Sequence, residues 1–303
     1  MLKNIVQPVA PNVSHVQKPP LENQLEGGAI IHYPVCPFPL PPEDDLRFLR
    51  QQRMGGMGHK NICHNPHTRR TVGHHYQSAA ADARLNNLLA EFSETASRWL
   101  AQLLPQYART WQLDRATLRP EEEATRNLRT TARNDLLHID AFPTRPARGR
   151  RILRLFVNIN PTDPRIWVTS ELFPALLERY GQQVGLPLGS RRYWLRCWHY
   201  DVKQLFYADA KCLTPYDAFM VRLHHFLKRN HAFQERCCKH YWCFPPASAW
   251  LVFTDGISHA VLRGQFALEH SYFVPPEALA CPEQSPAYLL QQACQAPVLR
   301  WSA

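Results

Sequence analysis

The sequence predicts an α+β to mainly β fold with a barrel-like antiparallel body. Patterns typical of helices are concentrated in its first half and patterns typical of strands in its second half, without the regular βαβ alternation of a parallel sheet. The 303 residues include 26 prolines against 12 glycines, which indicates many stiff connections. With 45% hydrophobic and 20% charged residues, the composition is that of a globular protein.

Two parts are expected along the chain. Residues 1–45 are proline-rich, with five prolines between positions 34 and 42, and they predict an extended arm that lies on the body. Residues 46–303 predict a single domain. Its N-terminal part, about 80–130, is expected to be helical, and further helices are expected as insertions among the strands.

The helical expectation comes from the spacing of apolar residues. They recur at three- and four-residue steps from Leu85 to Leu103, which predicts an amphipathic helix over 82–104. Pro105 ends this pattern. Pro120 is followed by three glutamates, and acidic side chains favour the positive end of the helix dipole, so a second helix is predicted to start there.

The second half contains strand-like runs at 151–160, 250–253 and 265–274 and helix-like runs at 170–180 and 216–229. Side chains of a strand alternate between its two faces. In the first run, the face with polar groups comprises Ile152, Arg154, Phe156, Asn158 and Asn160. The other face is aliphatic, so this strand is predicted to form a pocket wall backed by the core.

The charge balance predicts an anionic partner. There are 35 basic and 25 acidic residues, for a formal net charge of +10, which favours nucleic acid, an anionic membrane surface or an acidic substrate. The chain lacks a run of five or six basic residues and an aromatic-basic RNA-binding signature, so no nucleic-acid partner is expected. Its start lacks the apolar segment of a secretory signal, and a cytoplasmic protein is expected.

The nine cysteines are expected to be free thiols, because disulfides are rare in proteins that are not exported. One cluster is compact and consists of Cys237, Cys238, His240 and Cys243. A structural zinc site usually needs two separated ligand pairs, and this group lacks a clear second pair. A non-enzymatic zinc-binding protein built on the cluster remains an alternative.

Two His-x-Asp motifs precede a distant histidine. In an extended chain, residues i and i+2 point to the same side, so such a motif aims both ligands at one metal ion. Two imidazoles and one carboxylate on one face of Fe(II) leave open positions for a 2-oxo acid and dioxygen. The spacing does not choose between His138–Asp140 and His199–Asp201, since both precede His259.

The surroundings favour the first motif. His138 and Asp140 are followed by the strand with the polar pocket face, whereas aromatic residues and a helix-like run surround His199 and Asp201 and indicate a structural role. His259 follows a strand and a turn, where a ligand from a neighbouring strand is expected.

Three segments, 133–146, 151–161 and 253–269, closely resemble the Fe(II)/2-oxoglutarate-dependent hydroxylases of 3-deoxy-D-manno-oct-2-ulosonic acid (Kdo). Residues 58–62 and 244–246 are also similar to that family. The resemblance implies a double-stranded β-helix (jelly-roll, cupin-like) core with flanking helices. It also implies hydroxylation of C3 of Kdo in the lipopolysaccharide inner core, which yields D-glycero-D-talo-oct-2-ulosonic acid, succinate and CO2.

The resemblance assigns the catalytic metal ligands as His138, Asp140 and His259, with Fe(II) as the metal and 2-oxoglutarate and O2 as cosubstrates. Arg154, on the predicted pocket face, is the first choice for binding the far carboxylate of 2-oxoglutarate, and Arg263 is the second. Asn158 is expected to hydrogen-bond the cosubstrate. The residues expected to meet the anionic groups of the substrate are Arg133, Arg145, Arg148, Arg150 and Arg151.

The resemblance also implies a Kdo-containing lipid A precursor as the partner. Its lipid anchor lies in the inner membrane, so we expect a cytoplasmic protein attached peripherally to the inner membrane of a Gram-negative bacterium by its basic side chains. A 2-oxoglutarate oxygenase of another acceptor, either a protein or a small molecule, remains a second alternative.

Overall fold

The computed structural model describes residues 19–56, 60–126, 128–186, 213–295 and 298–299. Within these ranges the helices are α1 (Leu21–Glu26), α2 (Glu43–Gln51), α3 (Ala79–Leu103), α4 (Pro105–Ala108), α5 (Phe173–Val184), α6 (Pro215–Arg229), α7 (His231–Arg236) and α8 (Pro286–Cys294). The strands are β1 (Ile31–Tyr33), β2 (Ile62–Asn65), β3 (Arg70–Val72), β4 (Gln112–Arg119), β5 (Arg151–Asn158), β6 (Arg165–Leu172), β7 (His240–Phe244), β8 (Ala249–Phe253), β9 (Ile257–Arg263) and β10 (Ala267–Val274).

The strands form two antiparallel sheets. The larger has the order β1-β8-β5-β10-β4-β2-β3 and the smaller the order β7-β6-β9. From β5 to β10 the chain passes between the sheets repeatedly, because β5, β8 and β10 belong to the larger sheet and β6, β7 and β9 to the smaller. The predicted barrel-like antiparallel body is confirmed.

Aromatic side chains hold the two sheets face to face. Phe156 of β5 lies edge-on to Trp167 of β6, with ring centroids 4.8 Å apart. Phe244 of β7 stacks on Trp250 of β8 at 3.9 Å. All four rings are buried, so the inner faces of both sheets contribute to one core.

The outer face of the larger sheet is covered by α3. Ser78 caps this helix by accepting a hydrogen bond from the backbone N–H of Ala81. The apolar stripe of α3 packs in the same cluster as Leu153, Leu155 and Val157 of β5. The predictions of a helix over 82–104 and of a two-faced strand at 151–160 are therefore confirmed.

The predicted helix after Pro120 is wrong. The described residues of this stretch form two short 3-10 turns, Glu123–Thr125 and Thr130–Ala132. Glu123 is buried and forms ion pairs with Arg119 and Arg165, so its charge is used inside the protein and not at a helix terminus. The segment expected to be helical over about 80–130 also contains strand β4.

The N-terminal region contributes to the larger sheet, since β1 pairs with β8. Glu26, at the end of α1, accepts hydrogen bonds from the Tyr107 hydroxyl and from the backbone N–H groups of Ala280 at 2.8 Å and Cys281 at 2.7 Å. The division into an arm of residues 1–45 and a domain of residues 46–303 stays a prediction.

In the described part of the chain, no helix combines the length and apolarity needed to cross a membrane.

Replacement of Glu26 by Ala is expected to lower the free energy of unfolding by about 2–4 kcal/mol, because it leaves a buried hydroxyl and two N–H groups without their acceptor. Urea denaturation measures the change. Glu283→Ala, which removes an exposed carboxylate, serves as the control and is expected to change stability little. Equal stability of the two variants would show that Glu26 does not anchor α1.

Candidate metal centre

The main chain brings the two halves of the site together. His138 and His259 exchange backbone hydrogen bonds, 3.1 Å from His138 N to His259 O and 2.8 Å from His259 N to His138 O. The N–H of Val261 donates to Asn134 O at 2.8 Å. The segment from Asn134 to His138 therefore runs antiparallel to β9 at the edge of the smaller sheet, and the N–H of Asp140 donates to Thr254 O at 2.9 Å. This pairing places two side chains beside a third that is distant in sequence.

His138, Asp140 and His259 converge on one point. Their potential ligand atoms all lie within 4.8 Å of one another. Asp140 Oδ1 is 3.7 Å from His138 Nε2, and Asp140 Oδ2 is 3.9 Å from His259 Nε2. All three residues are buried, with exposed fractions of 3% to 5%. Among the described residues, they are the group of three or more that fits a metal ion.

Backbone carbonyls fix the two imidazole rings. His138 Nδ1 donates to Leu136 O at 2.7 Å, and His259 Nδ1 donates to Ile257 O at 3.1 Å. Because Nδ1 of each ring bonds a carbonyl, Nε2 is free to bind a metal ion. Metal-binding histidines are commonly oriented by such a hydrogen bond from their other ring nitrogen.

The electrostatics suit metal binding. Burial lowers the pKa of His138 well below its usual range and also lowers that of His259. Burial alone would raise the pKa of Asp140, but Arg154 and then His259 hold it well below its usual value. Two neutral imidazoles and an ionised carboxylate are the protonation states a metal ion requires. This donor set is typical of non-heme Fe(II) oxygenases.

Arg154 contacts the metal ligand Asp140 directly. Its Nη1 forms an ion pair with Asp140 Oδ2, and its Nε donates to Glu269 Oε1 at 2.8 Å. Since the guanidinium lies between two carboxylates, it orients Asp140. Its assignment as the 2-oxoglutarate ligand stays a prediction.

Glu269 of β10 joins Arg154 to a second arginine. Its Oε2 accepts from Arg119 Nη2 at 2.7 Å and from the Thr117 hydroxyl at 3.0 Å, and its Oε1 accepts from the Ser271 hydroxyl at 2.8 Å. Burial alone would raise the pKa of Glu269, but Arg154 and Arg119 hold it well below its usual range.

Arg165 of β6 also belongs to this buried cluster. Its Nη2 is 3.5 Å from Glu123 Oε1, which also lies 3.3 Å from Arg119 Nη1. Its Nη1 donates to Gly264 O at 2.8 Å, whereas its buried Nε has no hydrogen-bond partner among the described residues. Burial lowers the pKa of Arg165 to about 10. This guanidinium therefore has spare capacity for an anion.

Trp167 supplies a second unused donor. Its ring stacks on His259 with centroids 5.4 Å apart and an interplanar angle of 17°. Its buried indole N–H has no partner in the described part of the chain. Unpaired buried donors are costly, so Trp167 and Arg165 together fit an anionic cosubstrate that lies next to the metal.

The other two predicted cosubstrate residues lie in different surroundings. Asn158 is buried, and its side-chain amide bonds the backbone: Nδ2 donates to Asp163 O and Phe244 O, both at 3.0 Å, and Oδ1 accepts from Asn160 N at 3.0 Å. Arg263 is exposed at the end of β9. Both assignments stay predictions.

The arginines predicted to meet the substrate lie in different surroundings. Arg133 pairs with Asp135, and Arg145 with Asp114. Arg148 is exposed. These three assignments stay predictions.

Arg150 lies over the ring of Phe273, 4.6 Å from its centroid. Arg151 is buried and forms an ion pair with Asp255, with Nε 2.9 Å from Oδ2. The substrate roles expected for Arg150 and Arg151 stay predictions.

His199 and Asp201 fall within 187–212, outside the described residues. In the cysteine cluster, Cys238 Sγ lies 3.9 Å from His240 Nε2, but the described residues of the cluster do not form a group that fits a metal ion. The zinc-protein alternative has no support from this geometry.

The fold and the site define a class of protein: a double-stranded β-helix with the facial His-Asp-His triad of a non-heme metal oxygenase. The sequence profile of the 3-deoxy-D-manno-oct-2-ulosonic acid (Kdo) hydroxylase family matches residues 9–297. The chain therefore belongs to the Kdo hydroxylase family.

Solved structures agree with this membership. The apo form of the Kdo hydroxylase KdoO, a non-heme Fe(II) α-ketoglutarate-dependent dioxygenase, is 32% identical, with a TM-score of 0.79 over 91% of this chain and 90% of that chain. KdoO in complex with α-ketoglutarate and Fe(III) is also 32% identical, with a TM-score of 0.77 over 91% and 89%. Its complex with succinate and Fe(III) is 31% identical, with a TM-score of 0.80 over 93% and 91%.

No curated protein sequence gave a match. The predicted family, jelly-roll core and oxygenase class are confirmed.

Proposed function

We propose that the chain is an Fe(II)/2-oxoglutarate-dependent dioxygenase that hydroxylates C3 of Kdo linked to lipid A. The product is D-glycero-D-talo-oct-2-ulosonic acid, formed with succinate and CO2. The observation that carries the proposal is the buried triad of His138, Asp140 and His259 in a chain of the Kdo hydroxylase family. The relatives bound to α-ketoglutarate, succinate and iron support the same cosubstrate and metal.

Each residue of the triad has a separate task. His138 and His259 would hold Fe(II) through Nε2, and Asp140 through its carboxylate. When bound with 2-oxoglutarate and dioxygen, the iron supplies the oxidising chemistry. The Nδ1 hydrogen bonds keep both rings oriented, and Arg154 keeps Asp140 ionised and fixed.

The far carboxylate of 2-oxoglutarate binds Arg165 in this proposal, with Trp167 and the neighbouring arginines contributing donors. Arg165 is supported by its buried, unpartnered Nε and by the suitability of a guanidinium for a carboxylate. Arg154, the first choice from the sequence, is already shared between Asp140 and Glu269 and contributes its remaining N–H groups.

The product is tested by incubating purified protein with Kdo-lipid A, Fe(II), 2-oxoglutarate and air, followed by mass spectrometry of the lipid. We expect the Kdo residue to gain one oxygen atom, and succinate to form in equal amount. Asp140→Ala is expected to abolish both, because the metal loses its carboxylate ligand. Succinate formation with a protein or another small molecule, and no change in Kdo, would favour the alternative acceptors.

Arg165→Met is expected to raise the KM for 2-oxoglutarate more than about tenfold, because loss of one buried charge pair typically costs about 2–5 kcal/mol. Steady-state succinate formation measures the change. Arg263→Met is the matched control, since Arg263 is exposed. A tenfold effect in the control variant and none at Arg165 would place the carboxylate at the end of β9 instead.

We also propose that the protein attaches peripherally to the inner leaflet of the inner membrane, on the cytoplasmic side. Support comes from the formal net charge of +10 and from the lipid anchor of the proposed acceptor. Attraction of basic side chains to anionic head groups is worth about 1 kcal/mol for each residue near the surface.

Because salt screens such attraction, we expect sedimentation with Kdo-lipid A vesicles at low ionic strength and release at about 0.5 M salt without detergent. Protein that stays in the supernatant at low salt would contradict the proposed attachment. A requirement for detergent would indicate an apolar anchor.

A further inference from the structure

A buried lysine lies beside the metal centre. Lys228 of α6 is 3% exposed, and among the described residues its ammonium donates one long hydrogen bond, 3.4 Å, to the backbone oxygen of Thr131. One turn earlier on the same helix, His224 Nδ1 donates to Ile139 O at 2.6 Å, and its ring lies edge-on to His138 with centroids 4.9 Å apart. This face of α6 therefore packs against the segment that carries the metal ligands.

The carboxylates near Lys228 are already used by other cations. The negative charges that act on the lysine are those of Asp140, Asp135 and Glu123. Each of these carboxylates is bound by arginine: Asp140 by Arg154, Asp135 by Arg133, and Glu123 by Arg119, Arg126 and Arg165. None of the described carboxylates forms an ion pair with the Lys228 ammonium.

A second lysine increases the positive charge. Lys60 is exposed, its charge acts on Lys228, and none of the described carboxylates forms an ion pair with it. The pKa of Lys228 is lowered to about 7, mainly by burial and secondly by the positive charge of Lys60. A buried charge without a counterion is costly, so this place in the fold fits an anionic group that arrives with the substrate.

We propose that Lys228, assisted by Lys60, forms the subsite that binds the C1 carboxylate of Kdo. The proposal rests on the proposed function. In Kdo the carboxylate is attached to C2, which is bonded to C3, so its charge lies next to the carbon to be hydroxylated. A C3 held at the metal centre therefore brings the carboxylate close to it, where Lys228 lies. The phosphates of lipid A are further from C3.

The test compares Kdo-lipid A with its Kdo methyl ester in the wild type, Lys228→Met, Lys228→Arg and the control Arg236→Met, which changes an exposed residue of α7. We expect the wild type and the control to prefer the free acid more than about tenfold in kcat/KM. Lys228→Met is expected to lose this preference by losing activity on the acid, and Lys228→Arg to recover part of it. The KM for 2-oxoglutarate in succinate formation is expected to stay unchanged.

Several results would overturn the subsite. A wild type that accepts the ester as well as the acid removes the need for a carboxylate site, even if Lys228→Met does not fold. A raised KM for 2-oxoglutarate with the acid preference intact would assign Lys228 to the cosubstrate. If Lys228→Met lowers kcat/KM only with phosphorylated lipid A, and not with the dephosphorylated lipid, Lys228 would be assigned to a phosphate. Failure of the proposed function is a different result, because the wild type would then leave both forms of Kdo unchanged.

Discussion

The constraint on which the site depends is a buried row of alternating charges. In order of contact, the row comprises Asp140, Arg154, Glu269, Arg119, Glu123 and Arg165. Their side chains are at most 8% exposed. Removal of one member would leave its neighbours as uncompensated buried charges, which typically costs about 3–5 kcal/mol. The row therefore fixes Asp140 and the arginines that we propose for the cosubstrate carboxylate relative to one another.

The two sheets make this row possible. Four of the six charged residues lie at inward-facing positions of strands: Arg119 of β4, Arg154 of β5, Arg165 of β6 and Glu269 of β10. The aromatic core beside them holds the two sheets face to face. The row carries three positive and three negative groups. A divalent metal and a dicarboxylate add charges that cancel, so the buried site can accept both together without a net change in charge.

Local patterns predicted the shared direction of His138 and Asp140 and the two faces of β5, because alternation along a strand is a property of neighbouring residues. The assignment of the full triad with His259 came from the family resemblance. The row of charges was not predictable in this way. Glu269 meets Arg154 and Arg119 across separations of 115 and 150 residues, and nothing in the local sequence marks a buried counterion. The wrong helix after Pro120 has a similar origin, since Glu123 is a counterion of Arg165, which is 42 residues away in the sequence. No local pattern predicts that Lys228 is buried, because a lysine in an amphipathic helix ordinarily faces water.

Titration of the purified protein with a metal ion tests whether His138, Asp140 and His259 bind it. We expect one Co(II) or Fe(II) ion for each wild-type chain, no binding by His259→Ala, and weakened binding by Arg154→Met, in which Asp140 loses its partner. His240→Ala, an exposed histidine of β7, is expected to bind as the wild type does. Unchanged binding by His259→Ala would contradict the assignment of the metal centre.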